Sequence, residues 1–181
     1  SNPDVKIDGF ILPGHVSVII GTEAYRPFFK QYRLPCAVAG FEPVDILQGI
    51  YDLAAMIQDG AADLVNTYPR AVTAEGNVQA QKLLDKVFEV CDAPWRGLGV
   101  IPASGLAIRP ELAAFDAQMA FDILSEETPE PKGCACGEIL SGIKTPEACA
   151  LFRKKCTPMN PVGPCMVSSE GTCAAYYRYN K

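Results

Sequence analysis

Of the eight cysteines in this chain, six crowd into its final stretch (Cys134, Cys136, Cys149, Cys156, Cys165 and Cys173), while the long apolar sequence before them holds only Cys36 and Cys91. Thiols at that density serve a disulfide framework, a zinc site or an iron-sulfur cluster. The intervals between them, one, twelve, six, eight and seven residues, match neither the paired C-x-x-C knuckles of a zinc ribbon nor the close spacing of a ferredoxin. Small secreted scaffolds are not built with long cysteine-poor apolar segments, so a metal site in a reducing, cytoplasmic setting is the leading reading.

Three further places could carry chemistry. His15, the one histidine, follows an apolar run and a Pro-Gly turn, where open parallel sheets present ligands. Glu42 closes a Gly-Phe-Glu-Pro turn at the start of a helix, on the same rim; its plainer role is a charge at a helix N-terminus. Glu75-Gly76-Asn77 opens a second helix, where backbone N–H groups could hold an anion or simply be capped. Cys36 and Cys91 lie in apolar patterns and read as packing thiols.

The elements that must position these residues alternate between strand and helix. Asp8–Leu12 and Leu34–Ala39 are apolar runs ended by Pro13-Gly14 and Gly40, which suits buried strands. Between them, 15–20 and 23–32 form helical turns with Thr22 as a cap. Residues 43–59 predict a helix with Pro43 in its first turn, Gly60 at its end and Ile46, Leu47, Ile50, Leu53, Ala54 and Ile57 on one face. Residues 63–68 read as a strand. A second helix is expected over 74–91, capped by Thr73, with Cys91 on its apolar face.

Two extended pieces, 95–101 and 105–108, broken at Pro102-Ala103-Ser104, then lead to a helix over 110–121. The acidic, Pro-containing run 125–133 marks a linker, and the only helix expected beyond it spans 145–152, with Thr145 as cap and Pro146 at its first position. The expected fold is therefore α/β: a partial, mainly parallel sheet flanked by helices over 1–125, then a small irregular Cys-rich lobe over 126–181. So small a lobe needs a staple.

Composition narrows the function. At 181 residues with 49% hydrophobic content, the chain is long enough to bury a core. A net charge of -5 without a long basic run offers nothing for nucleic acid to follow. No stretch reaches the roughly 20 apolar residues of a membrane span. The start, Ser1-Asn2-Pro3-Asp4, lacks the features of a signal peptide and has no Met, so the chain is expected to be a piece of a longer protein whose first strands lie upstream.

Several phrases occurring in one order carry a resemblance: Pro13-Gly14-His15-Val16-Ser17, Ala39-Gly40-Phe41-Glu42-Pro43, Glu75-Gly76-Asn77, Trp95-Arg96-Gly97-Leu98-Gly99, Cys136-Gly137-Glu138-Ile139-Leu140 and Ser168-Ser169-Glu170-Gly171-Thr172-Cys173. Together they resemble the C-terminal half of HypD, the NiFe hydrogenase maturation family. The resemblance implies a scaffold, not primarily an enzyme. With a small HypC-type chaperone and a HypE-type cyanide donor, it holds an iron atom while cyanide and carbon monoxide ligands are installed.

It also implies a 4Fe-4S cluster, with Cys136, Cys149, Cys156 and Cys173 as thiolates and Cys134 with Cys165 as a redox pair. The rival assignment has Cys134 replace Cys136 at the cluster. His15 and Glu42 would face the iron cleft, and Ser168 to Gly171 could donate hydrogen bonds to cluster sulfurs. The family's N-terminal Cys-containing motifs are absent from this sequence, so the chain alone should not complete the scaffold's task. Two other readings are a cluster-linked dithiol/disulfide oxidoreductase using Cys134 and Cys165, and a zinc- or disulfide-stabilised binding module.

Overall fold

The computed structural model describes residues 4–121 and 129–180. It divides into two compact units, one formed by Ile7–Val87 and the other by residues 4–6 together with the described residues from Phe88 onward. The boundary expected near residue 126, and the linker residues up to Thr128, lie outside the described residues.

The first unit is an α/β sheet unit. Strand β1 (Phe10–Pro13) leads into helix α1 (Gly14–Ile20), a 3-10 turn (Glu23–Tyr25) and α2 (Arg26–Tyr32). Strand β2 (Cys36–Ala39) then enters α3 (Pro43–Gln58), and β3 (Leu64–Asn66) precedes α4 (Val78–Val87). The three strands pair in parallel in the order β1-β2-β3, with Phe10 opposite Cys36 and Cys36 opposite Leu64. Strand β2 is buried along its whole length, which is why it reads as an unbroken apolar run rather than an alternating one.

Helix α3 forms where expected, with Glu42 at its N-cap and Pro43 in its first turn. Its inward face differs from the expected one. Asp45 and Gly49 are buried, while Leu47, Ile50 and Ile57 are exposed. The reason is close approach: a Cβ on Gly49 would lie 3.4 Å from Ala39 Cβ and 3.8 Å from Ala37 Cβ. Small residues on both elements let the helix backbone settle on the strand.

The helix expected over 74–91 is shorter at both ends. Thr73 Oγ1 accepts from the Gly76 N–H in a turn, and Asn77 Oδ1, accepting from Ala80 N–H at 3.0 Å, is the cap. The Asn77 N–H in turn donates to the Ile19 carbonyl, and the Gln81 amide donates to the carbonyls of Ile19 and Glu75. The Glu75-Gly76-Asn77 phrase is thus spent on tying α1 to α4.

At the other end the chain leaves the helix at Val87, and Cys91 lies on a strand. Strand β4 (Phe88–Trp95) runs antiparallel to β5 (Gly99–Ile108), with Phe88 opposite Ile108 and a bulge between Cys91 and Ala93. Strand pairing overrides the helical period of 88–91. Strand β5 also runs through the break expected at Pro102-Ala103-Ser104. The helix expected over 110–121 splits into a 3-10 turn (Pro110–Phe115) and α5 (Ala117–Ala120), because Asp116 is extended and its carboxylate accepts from Gln118 N–H.

Beyond residue 129 lie α6 (Cys136–Leu140), a 3-10 turn (Pro146–Ala148), α7 (Pro164–Val167) and α8 (Thr172–Tyr179). The helix expected over 145–152 is only that single turn, since Cys149 is extended. One core unites these pieces: Cys136, Ile139, Cys149, Phe152, Cys156, Cys165, Met166, Cys173 and Ala174.

Candidate metal centre

Five of that core's nine buried residues are cysteines, and Cys134 packs against it half-buried. Short segments deliver each thiol. Cys136 is the first residue of α6, Cys165 stands in the first turn of α7, and Cys173 in the first turn of α8. Cys149 and Cys156 flank a compact loop in which Cys156 N–H donates to the Leu151 carbonyl. All eight cysteines are free thiols.

The thiols fall into contacts that their spacing could not specify. Cys165 Sγ lies 3.0 Å from Cys173 Sγ, and the Cys165 and Cys136 thiols act on each other's titration. Cys134 sits beside Gly163, where a Cβ would meet its sulfur at 2.5 Å, in the electrostatic field of Cys136, Cys149 and Cys156. Cys173 feels the same three neighbours. Cys156 Sγ accepts from Val162 N–H at 3.4 Å. The structure thus brings Cys165 to Cys173, and sets Cys134 and Cys173 each in surroundings shared with Cys136, Cys149 and Cys156.

Burial dominates the electrostatics. It pushes the Cys136 thiol up to about 11, with the hydrogen bond to Cys165 adding to the rise. Cys165 is likewise pushed up to about 11 by burial and by Cys173. Cys134 and Cys173 are raised for the same primary reason. Desolvation thus disfavours the thiolate at Cys134, Cys136, Cys165 and Cys173, and a metal binding at such sulfurs would displace their protons.

Among the described residues, no three or more Cys, His, Asp or Glu side chains are arranged around one point as ligands of a single metal ion. A cubane cluster spreads its four thiolates over its corners, so a looser gathering suits it. The donor set fits such a group: six sulfurs share one buried core, with a backbone N–H already directed at one of them.

The hairpin tip is part of this site. Gly97 (φ +81°) and Gly137 meet backbone to backbone: a Cβ on Gly137 would lie 2.9 Å from the Gly97 carbonyl carbon, and one on Gly97 3.0 Å from Gly137 N. The Glu130 carboxylate accepts from the Gly97 N–H at 2.5 Å. Arg96, Gly97, Glu130, Pro131 and Pro164 leave a cavity of only about 10 Å³ beside Cys134 and Cys136.

The sheet unit carries the other expected residues. His15 is the second residue of α1, close behind β1, with its ring 4.9 Å from that of Phe41. Glu42 and His15 line an open cavity of about 480 Å³ together with Val18, Gly40, Phe41 and Tyr68, beyond the C-terminal ends of the parallel strands. Sequence reasoning missed its charged frame. Arg70 grips both oxygens of Asp45 (2.8 and 2.6 Å), pairs with Glu42 at 2.7 Å, and stands 4.4 Å over the Tyr68 ring. The Arg70 hydrogen bond and charge hold the Asp45 carboxyl below its usual range. The available signal was a carboxylate inside the first turn of an apolar helix.

Fold and site define a class: a two-unit α/β protein ending in a lobe packed around cysteine sulfurs. The HypD family model, described as "Hydrogenase formation hypA family", matches residues 1–180. The chain is 48% identical over 178 residues to hydrogenase maturation factor HypD of Cupriavidus necator, covering 98% of this chain and 47% of that protein. Likewise, it is 47% identical to HypD of Azotobacter vinelandii and 48% to hydrogenase expression/formation protein HupD of Azotobacter chroococcum, each over 98% of this chain and 47% of the relative. The chain belongs to the HypD family of hydrogenase maturation factors. It spans about half the length of the curated relatives it matches.

Proposed function

We propose that this chain is the cluster-bearing part of a cytoplasmic maturation scaffold. With a HypC-type chaperone and a HypE-type cyanide donor, the scaffold assembles an Fe(CN)2CO unit for NiFe hydrogenase and passes it on. The supporting observation is the convergence of six cysteines on one buried core at the end of a HypD-family chain. Cys149, Cys156 and Cys173 would hold a 4Fe-4S cluster, with Cys134 or Cys136 as the fourth thiolate. The mutual electrostatic influence of the Cys136 and Cys165 thiols favours Cys134 at the cluster and Cys136 with Cys165 as the redox pair. When bound, the cluster supplies one-electron chemistry beside that pair.

The chain's own residues do the rest. The Val162 N–H donates toward Cys156, the hairpin tip shields Cys136 from water, and His15 with Glu42 lines the cavity that would face the iron cargo. A second reading, a cluster-linked dithiol/disulfide oxidoreductase, draws support from the 3.0 Å separation of Cys165 and Cys173, which would put a pair member against a cluster ligand. Anaerobic purification tests the proposal. It predicts brown protein with about four irons and four sulfides per chain; colourless protein that cannot be reconstituted with iron and sulfide would overturn it.

A further inference from the structure

A second cavity opens beside the thiol pair. It has a volume of about 330 Å³ and is lined by Trp95, Arg96, Leu140, Cys165, Glu170 and Thr172, with Pro164 and Gly171 between them. That is within the size range of small-molecule sites. Its wall is mainly apolar, and the Trp95 indole is fixed by donating to Ser104 Oγ at 2.7 Å. Arg96 and Glu170 carry opposite charges, are both exposed, and have no salt-bridge partner among the described residues. An uncommitted cation, an uncommitted anion and a paired cysteine around one apolar groove form a three-point pattern.

We propose that this cavity is the entry site for a zwitterionic cysteinyl disulfide, whose α-carboxylate meets Arg96, whose α-ammonium meets Glu170, and whose sulfur meets Cys165. The inference rests on the reading of Cys136 and Cys165 as a redox pair. The Cys165 sulfur gives up its proton and attacks one sulfur of the incoming disulfide. That S–S bond breaks, the first half leaves as a thiol carrying the proton, and the second half remains as a mixed disulfide. The Cys136 sulfur then attacks Cys165 Sγ, expels the second half as a thiol with the Cys136 proton, and closes a Cys136–Cys165 disulfide. Two electrons pass from the dithiol to the ligand, which is reduced to two thiols.

The test uses the anaerobically purified protein and four disulfides: cystine, cationic cystamine, anionic dithiodiglycolate and neutral bis(2-hydroxyethyl) disulfide. Rates of thiol loss are followed, and the modified residues are mapped by mass spectrometry. Cystine is expected to react fastest. Arg96→Gln should slow cystine and dithiodiglycolate about three- to fivefold and spare cystamine, whereas Glu170→Gln should slow cystine and cystamine equally and spare dithiodiglycolate. Rates that neither variant moves, or a first adduct on Cys134, overturn the proposal. If the neutral reagent forms the Cys136–Cys165 disulfide while cystine has no advantage, the cavity's ligand falls and the redox pair stands. If no reagent forms that disulfide, both fall.

Discussion

Replacing Gly137 by alanine tests whether the hairpin tip is seated on the cysteine lobe. The new methyl group would lie 2.9 Å from the Gly97 carbonyl carbon and 3.5 Å from Gly97 Cα, with the carbonyl oxygen nearer still. Neither backbone can yield cheaply: Gly137 belongs to α6, and Gly97 turns the hairpin at positive φ while bonded to Glu130. Overpacking of this kind costs about 1–3 kcal/mol. Helix propensity works the other way, favouring alanine by about 0.5–1 kcal/mol. The net expectation is a loss of about 1–2 kcal/mol, read by urea or thermal unfolding; each kcal/mol is worth about 4–8 °C of Tm in a unit of this size. Iodoacetamide labelling of Cys136 should accelerate in the same variant, because the tip covers it. A Gly137→Ala protein as stable as its parent, with Cys136 labelling unchanged, would refute the contact.

The same substitution should have the opposite sign in the sheet unit: Gly49→Ala places a methyl at ordinary van der Waals distance from Ala37 and Ala39 in mid-helix, so a gain of about 0.5–1 kcal/mol is expected in urea unfolding. Asp45→Asn should lower stability at neutral pH and flatten the acid limb of the stability profile. Because Arg70 depresses the folded-state carboxyl, the pair's contribution is full above the unfolded value of about 3.9 and is lost as pH falls from there through the lower folded value. Unfolding measured between pH 2 and 7 checks this. Glu130→Ala removes the acceptor for Gly97 N–H and should speed Cys136 alkylation, whereas Glu130→Gln, which keeps an acceptor oxygen, should change it less.

The parallel sheet was legible because its signals are local. Leu34–Ala39 is apolar throughout, Pro43 and Gly60 bracket α3, and a short strand at 64–66 falls inside the expected one. The hairpin was not, because residues 88–91 continue the apolar period of α4 and only pairing with Gly105 to Ile108 makes them a strand. The inward face of α3 was misjudged since a glycine and an arginine-bound aspartate, rather than the largest side chains, face the strand. The gathering of the six cysteines followed from their crowding. Their partners did not: Cys134 and Cys136 differ by one intervening residue, and α6 begins at the second of them, so the two thiols enter different surroundings. The Asp45–Arg70 contact spans 25 residues and two elements, which no local pattern encodes.

The central claim is that four particular sulfurs hold one inorganic cluster while Cys165 stands beside it. Iron and acid-labile sulfide measured on anaerobically prepared single Cys→Ser variants address it directly. Cys149→Ser, Cys156→Ser and Cys173→Ser should each lose most of the roughly four irons expected per chain, Cys134→Ser should follow them, and Cys165→Ser should keep its iron. Full iron in the Cys149, Cys156 and Cys173 variants, or its loss in the Cys165 variant alone, would contradict the account.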